Sequence, residues 1–240
     1  MPSKTPKITA VNKDEKSPKY RKKEIKKHKP LCKFLLENFN SALIKDCGKL
    51  FNINKIKVFE VKEYKPQKSV AQEGNLMLYH GSKEANSILK SGFENSPFGF
   101  FGPGVYMTEC PDVATMYADH KLGTGESQKD RWVFLNETLI SSKEMKTVNF
   151  EQYSKMDKES KEKNNKFAFT RYAKDNSPDL NFTRDFVKDK AGRLHRKAPI
   201  DCNSVDDEYI LDTTNIKPRF LFLLEGVEKN KEAWKIYEEL

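Results

Sequence analysis

Three short apolar runs constrain this fold more than any other feature: Leu76-Met77-Leu78-Tyr79-His80, Trp132-Val133-Phe134-Leu135 and Phe220-Leu221-Phe222-Leu223-Leu224. Each is four or five residues long, the length of a buried strand and too short for a helix. A sheet built from them forms the core. A further strand signal lies at Ile56 to Val61. Helical patterns surround these runs. Leu31, Leu35, Phe39, Leu43, Cys47 and Leu50 recur near helical spacing after Pro30, predicting a helix packed on the domain. Lys229 to Leu240 reads as a terminal amphipathic helix using Ala233, Trp234, Ile236, Tyr237 and Leu240. The organisation is mixed, with no internal repeat. Glu151 to Lys166 is strongly charged and expected to be exposed, and Asn176 to Asn203 is irregular.

The charge is unevenly distributed. Residues 1–30 hold 11 Lys or Arg against 3 Asp or Glu, a net of +8, so the remaining 33 against 32 gives +1. The tail therefore carries nearly all of the overall +9. Its low apolar content predicts a disordered segment. Residues 1–30 are read as a basic tail and 31–240 as one domain that buries roughly 70% of its unfolded surface. The tail suits a nuclear address, a non-specific nucleic-acid or anionic-surface tether, or simply a solvated end. No zinc-finger, helix-turn-helix or RNA-binding signature accompanies it.

No apolar stretch approaches the roughly 20 residues needed to span a bilayer, and the N-terminus has no apolar signal region. The expectation is a soluble intracellular protein, nuclear or cytoplasmic, with no membrane contact. Cys32, Cys47, Cys110 and Cys202 are scattered and read as free thiols. Cys110 with His120, or Cys202 with His195, has irregular spacing, so no metal is expected. Asn136-Glu137-Thr138 and Asn181-Phe182-Thr183 match a glycosylation pattern that has no bearing on an intracellular chain.

Candidate chemistry sits in four patches. Tyr106 and Tyr117 lie eleven residues apart, with Pro111 placed for the first turn of a helix between them. Val113, Met116, Tyr117 and His120 follow at helical spacing, which turns Tyr117 toward the short strand carrying Tyr106. Two phenol rings across a slot suit a planar aromatic amide; the alternative is a pair of half-buried core residues. Gly81 ends the strand of Leu76 to His80 before a helix of about Lys83 to Ser91. Without a side chain it lets a ligand approach main-chain N–H and C=O groups, a donor–acceptor pair that matches a carboxamide. Ser82 either supports such a site or caps the helix. His80, alone at a strand end, reads as structural. Asp207-Glu208-Tyr209-Ile210-Leu211-Asp212 is an acidic approach to a short apolar strand, and Glu208 by position alone is a solvated charge.

Taken in order, Tyr79-His80-Gly81-Ser82, Gly102-Pro103-Gly104-Val105-Tyr106, Tyr117 and Asp207-Glu208-Tyr209-Ile210 resemble the catalytic domain of the poly(ADP-ribose) polymerases. These are diphtheria-toxin-like ADP-ribosyltransferases with a His-Tyr-Glu triad, and the resemblance runs from about Leu76 to Leu224. It implies an α+β ADP-ribosyltransferase fold of two packed, mostly antiparallel sheets flanked by helices. It also implies a triad of His80, Tyr106 and Glu208 and the use of NAD as ADP-ribose donor. Tyr106 and Tyr117 would sandwich nicotinamide, Gly81 would bind its amide, His80 would hydrogen-bond a ribose hydroxyl, and Ser82 would support the site. Glu208 would stabilise the ribosyl cation. One or more ADP-ribose units would pass to a protein or nucleic-acid acceptor. The alternatives are an NAD glycohydrolase and a non-catalytic NAD- or ADP-ribose-binding module with a basic tether.

The chain departs from the family pattern at Ala114, where a serine usually bonds the nicotinamide carboxamide, and at Met107, where phenylalanine is common. Losing one neutral hydrogen bond removes roughly 0.5 to 1.5 kcal/mol. Phe93 to Pro103 corresponds to a segment bordering the donor site. A strand-glycine-helix dinucleotide fingerprint is lacking, which disfavours a Rossmann dehydrogenase.

Overall fold

A computed structural model describes residues 8–10, 39, 47–61, 74–97, 103–119, 130–141, 146–148, 154–156, 166–169, 186–188, 192–196 and 208–239. The strands are β1 (Ile8–Ala10), β2 (Phe51–Val61), β3 (Asn75–Gly81), β4 (Val105–Thr108), β5 (Arg131–Ser141), β6 (Lys146–Val148), β7 (Lys166–Phe169), β8 (Phe186–Lys188), β9 (Leu194–Arg196), β10 (Glu208–Leu211) and β11 (Ile216–Lys229). The helices are α1 (Ala85–Ser91), α2 (Pro111–Tyr117) and α3 (Lys231–Glu239). The apolar runs expected to form strands lie inside β3, β5 and β11, and the signal at Ile56 to Val61 lies inside β2.

Those runs are continuously apolar because both faces of the central strands are covered. Along β3, Met77 and Tyr79 enter one apolar cluster while Leu76 and Leu78 enter the other. Val133 and Leu135 separate from Phe134 on β5 in the same way, as do Phe220, Phe222 and Leu224 from Leu221 on β11. The first cluster is closed by Phe39, by Val113 and Ala114 of α2 and by Ala233 of α3. The second is closed by Ala85, Ile88 and Leu89 of α1 together with Val105, Met107 and Tyr209.

The strand order is β1-β2-β11-β5-β3-β4-β10-β7-β6, with β9 joining β3 and β8 joining β9. Pairing is antiparallel except for β6 with β7 and β3 with β9. This is an α+β fold, but the two separate sheets expected from the resemblance are one network among the described residues. The join is a single residue pair between β3 and β4, Tyr79 with Thr108. Neighbouring ladders run longer, with β10 pairing β4 from Glu208↔Thr108 to Leu211↔Val105. A bridge one pair long leaves no mark on sequence periodicity.

Ile8–Ala10 fall within the segment read as tail, yet they pair with the end of β2, Ile8 opposite Val61 and Ala10 opposite Phe59. Other residues of 1–30 lie outside the described residues, as does most of the helix expected over Leu31 to Leu50. Phe39 is helical and buried, its ring 4.4 Å from that of Phe222 and 5.5 Å from that of Tyr79. The terminal helix forms as Lys231–Glu239, with Ala233 buried and Trp234 set edge-on to Phe51 at 5.7 Å. Ile236, expected on its apolar face, is exposed. Of the charged stretch, Ser154 and Lys155 are exposed and its other residues, Met156 apart, are not described except Lys166 in β7. Among the described residues no helix is long and apolar enough to cross a membrane.

Glu137 is fully buried in β5, where its carboxylate accepts from Asn75 Nδ2 at 3.0 Å and Arg219 Nε at 2.5 Å. The pattern Asn136-Glu137-Thr138 is thus part of a buried strand. A polar triplet inside β5 is tolerable because each member bonds a neighbour, Asn136 Nδ2 donating to Leu78 C=O and Thr138 Oγ1 accepting from Leu76 N–H beside the Glu137 bonds.

Candidate active site

At the open end of β3, a cavity of about 560 Å³ lies between α1, α2 and β4. His80, Gly81, Ser82, Tyr106 and Tyr117 all line it, together with Ala114, Thr108, Phe93 and the acidic Glu84 and Glu94. Five residues singled out in sequence are therefore brought to one space.

The local geometry follows from how the β3–β4 ladder stops. Ser82 N–H donates to Trp132 C=O at 3.1 Å, and Gly81 pairs with Val133. Antiparallel alternation then turns the N–H and C=O of Gly81 away from β5, toward β4. Beyond Tyr79↔Thr108, that ladder would next pair Gly81 with Tyr106, and no such pair forms. Instead the Tyr106 carbonyl accepts from Nδ1 of His80 at 2.7 Å. The imidazole occupies the place of the next ladder bond, and the Gly81 peptide groups face the cavity edge.

A carbonyl can only accept, so Nδ1 carries the hydrogen and Nε2 of neutral His80 is an acceptor. Burial lowers the His80 pKa, and the hydrogen bond to Tyr106 opposes this in part. The ring is also fixed by Phe93, which meets it edge to face at 5.1 Å. Phe93 in turn leans on Phe134 of β5 at 5.6 Å. Sequence placed Phe93 only in a bordering segment. Its role depends on α1 ending at Gly92, whose φ of 95° swings the chain back over β3.

Gly81 has a second reason to lack a side chain. A β-carbon there would overlap the Ala114 carbonyl oxygen and lie 2.7 Å from Ala118 N. Helix α2 thus rests its backbone directly on the strand. Ser82 Oγ accepts from Glu84 N–H at 3.0 Å, which closes the turn leading into α1; the N-cap of that helix is Glu84, not Ser82. Ala114 is buried against this contact and lines the cavity.

Tyr106 is half-buried and Tyr117 is 52% exposed. The second tyrosine ends a helix of under two turns, which is too short to persist without tertiary support. Pro111 stands in its first turn, as the spacing predicts. Asp112 in that turn is buried, accepts from Leu50 N–H at 3.0 Å, and has its pKa pushed up to about 7 by burial. Cys110 N–H donates to Thr108 Oγ1 at 3.1 Å, tying the helix to the end of β4.

Glu208 opens β10, its main chain paired with Thr108 on one side and Phe169 on the other. Glu208, Thr108, Tyr79 and Leu135 therefore form one row across four strands, and Thr108 lines the cavity. Next to it, buried Tyr209 donates to Glu109 Oε1, and Ile210 packs where Gly104 leaves room, 2.5 Å from a β-carbon built there. No local pattern marks Thr108 in the sequence; only the tertiary row gives it meaning. Among the described residues no group of three or more His, Cys, Asp or Glu side chains is arranged to hold a metal ion.

Comparison with curated proteins finds no match. The family model of the poly(ADP-ribose) polymerase catalytic domain matches residues 7–225, from β1 through most of β11. This match over most of the chain, with His80, Gly81, Ser82, Tyr106 and Tyr117 lining one cavity, places this chain in the poly(ADP-ribose) polymerase catalytic domain family.

Proposed function

We propose that this protein cleaves NAD between nicotinamide and ribose and transfers one or more ADP-ribose units to a protein or nucleic-acid acceptor. The observation that carries the reading is the His80 Nδ1 bond to the Tyr106 carbonyl, which interrupts the ladder and leaves the Gly81 peptide groups beside the cavity. A primary carboxamide needs one acceptor and one donor in a plane, and an unpaired strand edge offers both. Nicotinamide sits there with its ring between Tyr106 and Tyr117. His80 accepts a ribose hydroxyl at Nε2.

Bond cleavage leaves positive charge on the ribose ring. A carboxylate near it stabilises the transition state more than the ground state, and Glu208 is the residue assigned to that role. Its place in the row with Thr108 supports the assignment. The pair of electrons from the broken bond leaves with nicotinamide, and an acceptor nucleophile then bonds the ribosyl carbon and releases its proton. Residues 1–30 provide non-specific contact with a nucleic acid and so raise the local concentration of acceptor.

The test is incubation of wild type and Glu208→Gln with labelled NAD, following free nicotinamide and macromolecular label together. Wild type labels an acceptor, and Glu208→Gln loses roughly a hundred- to thousandfold in rate, the scale of one pre-organised charge-stabilising group. Nicotinamide release without label would assign a glycohydrolase. NAD binding without turnover in either protein would assign a binding module.

A further inference from the structure

Arg131, at the start of β5, is buried to 1% exposure, an unusual place for a guanidinium. Its Nη1 donates to the Thr115 carbonyl at 2.9 Å and its Nη2 to Asp119 Oδ2 at 2.7 Å. The guanidinium carbon lies 4.7 Å above the ring of Phe51, which supports its other side. The two groups it grips stand two residues before and two residues after Tyr117.

Tyr117 stands at the end of α2 with 52% of its surface exposed. Helix α2 ends beneath it in a tightened turn, with Ala118 N–H donating to Ala114 C=O at 3.0 Å and Asp119 N–H to Met116 C=O at 3.1 Å. The Thr115 carbonyl belongs to the last turn, where carbonyls have no partner within the helix. A charged donor there satisfies one of them and favours the negative end of the helix dipole. The Asp119 carboxylate supplies the counter-charge that a buried guanidinium requires.

We propose that Arg131 and Asp119 form a clamp that positions Tyr117 against nicotinamide, so that they act on NAD affinity only through that ring. Neither residue is among those that line the cavity; both are positioning residues. This rests on Tyr117 being the stacking partner of nicotinamide. Arginine suits position 131 because Nη1 and Nη2 of its planar fork each bond one acceptor, a rigid two-point grip that a flexible lysine ammonium does not reproduce.

The test uses the full chain and nicotinamide itself as the probe. Its dissociation constant, and KM and kcat for NAD, are measured for wild type, Arg131→Lys, Asp119→Asn, Tyr117→Ala and each clamp variant combined with Tyr117→Ala. The clamp variants are expected to weaken nicotinamide by roughly two- to tenfold, the range of one lost aromatic stack, with kcat changed less than KM. In the Tyr117→Ala background they add nothing further. Equal weakening in both backgrounds would show a general structural role and overturn the proposal. Unchanged affinity in a folded Asp119→Asn or Arg131→Lys protein would overturn it as well. Should Arg131→Lys fail to fold, Asp119→Asn, which keeps a hydrogen-bond acceptor, decides alone. Tyr117→Ala with wild-type affinity, or wild type that binds no nicotinamide, would instead overturn the underlying reading of Tyr117 and the clamp with it.

Discussion

A β-carbon at Gly81 would run into the backbone of α2, overlapping the Ala114 carbonyl oxygen and approaching Ala118 N to 2.7 Å. Neither partner is a side chain that can swing away, so the helix itself must move. Gly81→Ala is expected to lose about 1 to 3 kcal/mol of stability by urea denaturation, the cost of overpacking. Because Ala114 and Tyr117 move with α2, nicotinamide affinity should fall in the same variant. A purely ligand-facing glycine would lose affinity with its unfolding midpoint unchanged. The sequence made the value of a missing side chain at 81 legible, since glycine ends an apolar strand there. It left the helix contact hidden, because that contact joins residues 33 positions apart in the chain. His80 is similar: its residue type and place were visible, while burial favours its neutral form, the Tyr106 carbonyl fixes its tautomer and Phe93 holds the ring.

Helix α2 is held at three places along its length: Asp112 on the Leu50 N–H, Ala114 on Gly81, and Thr115 on Arg131. A short helix has little stability of its own, so these contacts decide its position. The Asp112 attachment is sensitive to pH. Burial raises this carboxyl from about 3.8 to about 7, with the Leu50 N–H bond and Lys49 opposing. Between those values the folded chain holds a proton that the unfolded chain has lost. The stability linked to this proton is complete below about 3.8 and disappears as pH rises through about 7. The slope reaches at most about 1.4 kcal/mol per pH unit. Denaturation measured across this window should show wild-type stability falling with rising pH, and Asp112→Asn should flatten that contribution. Pro111 and the spacing of Val113, Met116 and Tyr117 announced the helix. Nothing local announced that a buried acid and a buried arginine hold its two ends.

Strands β3, β5 and β11 each send side chains into both apolar clusters, so the two clusters share one set of backbones. Loss of packing on one face should therefore unfold the molecule as a unit. Phe222 is fully buried and packs at 4.4 Å on Phe39. Phe222→Ala is expected to cost about 3 to 5 kcal/mol, with fluorescence and far-ultraviolet dichroism reporting the same transition. Two separated transitions would show that the clusters are independent. The sequence by itself determined the strands of the core, the helix between the two tyrosines, and the residue types that the fold gathers along the cavity. Each of those is written in short-range pattern: apolar run length, helical spacing, a proline or glycine at an element's end. Tertiary structure alone decided the single-pair join of β3 to β4, the row from Glu208 through Thr108 to Tyr79, and the grip of Arg131 around Tyr117. These depend on contacts between segments remote in sequence, and their energies come from the burial and charge pairing that such contacts create.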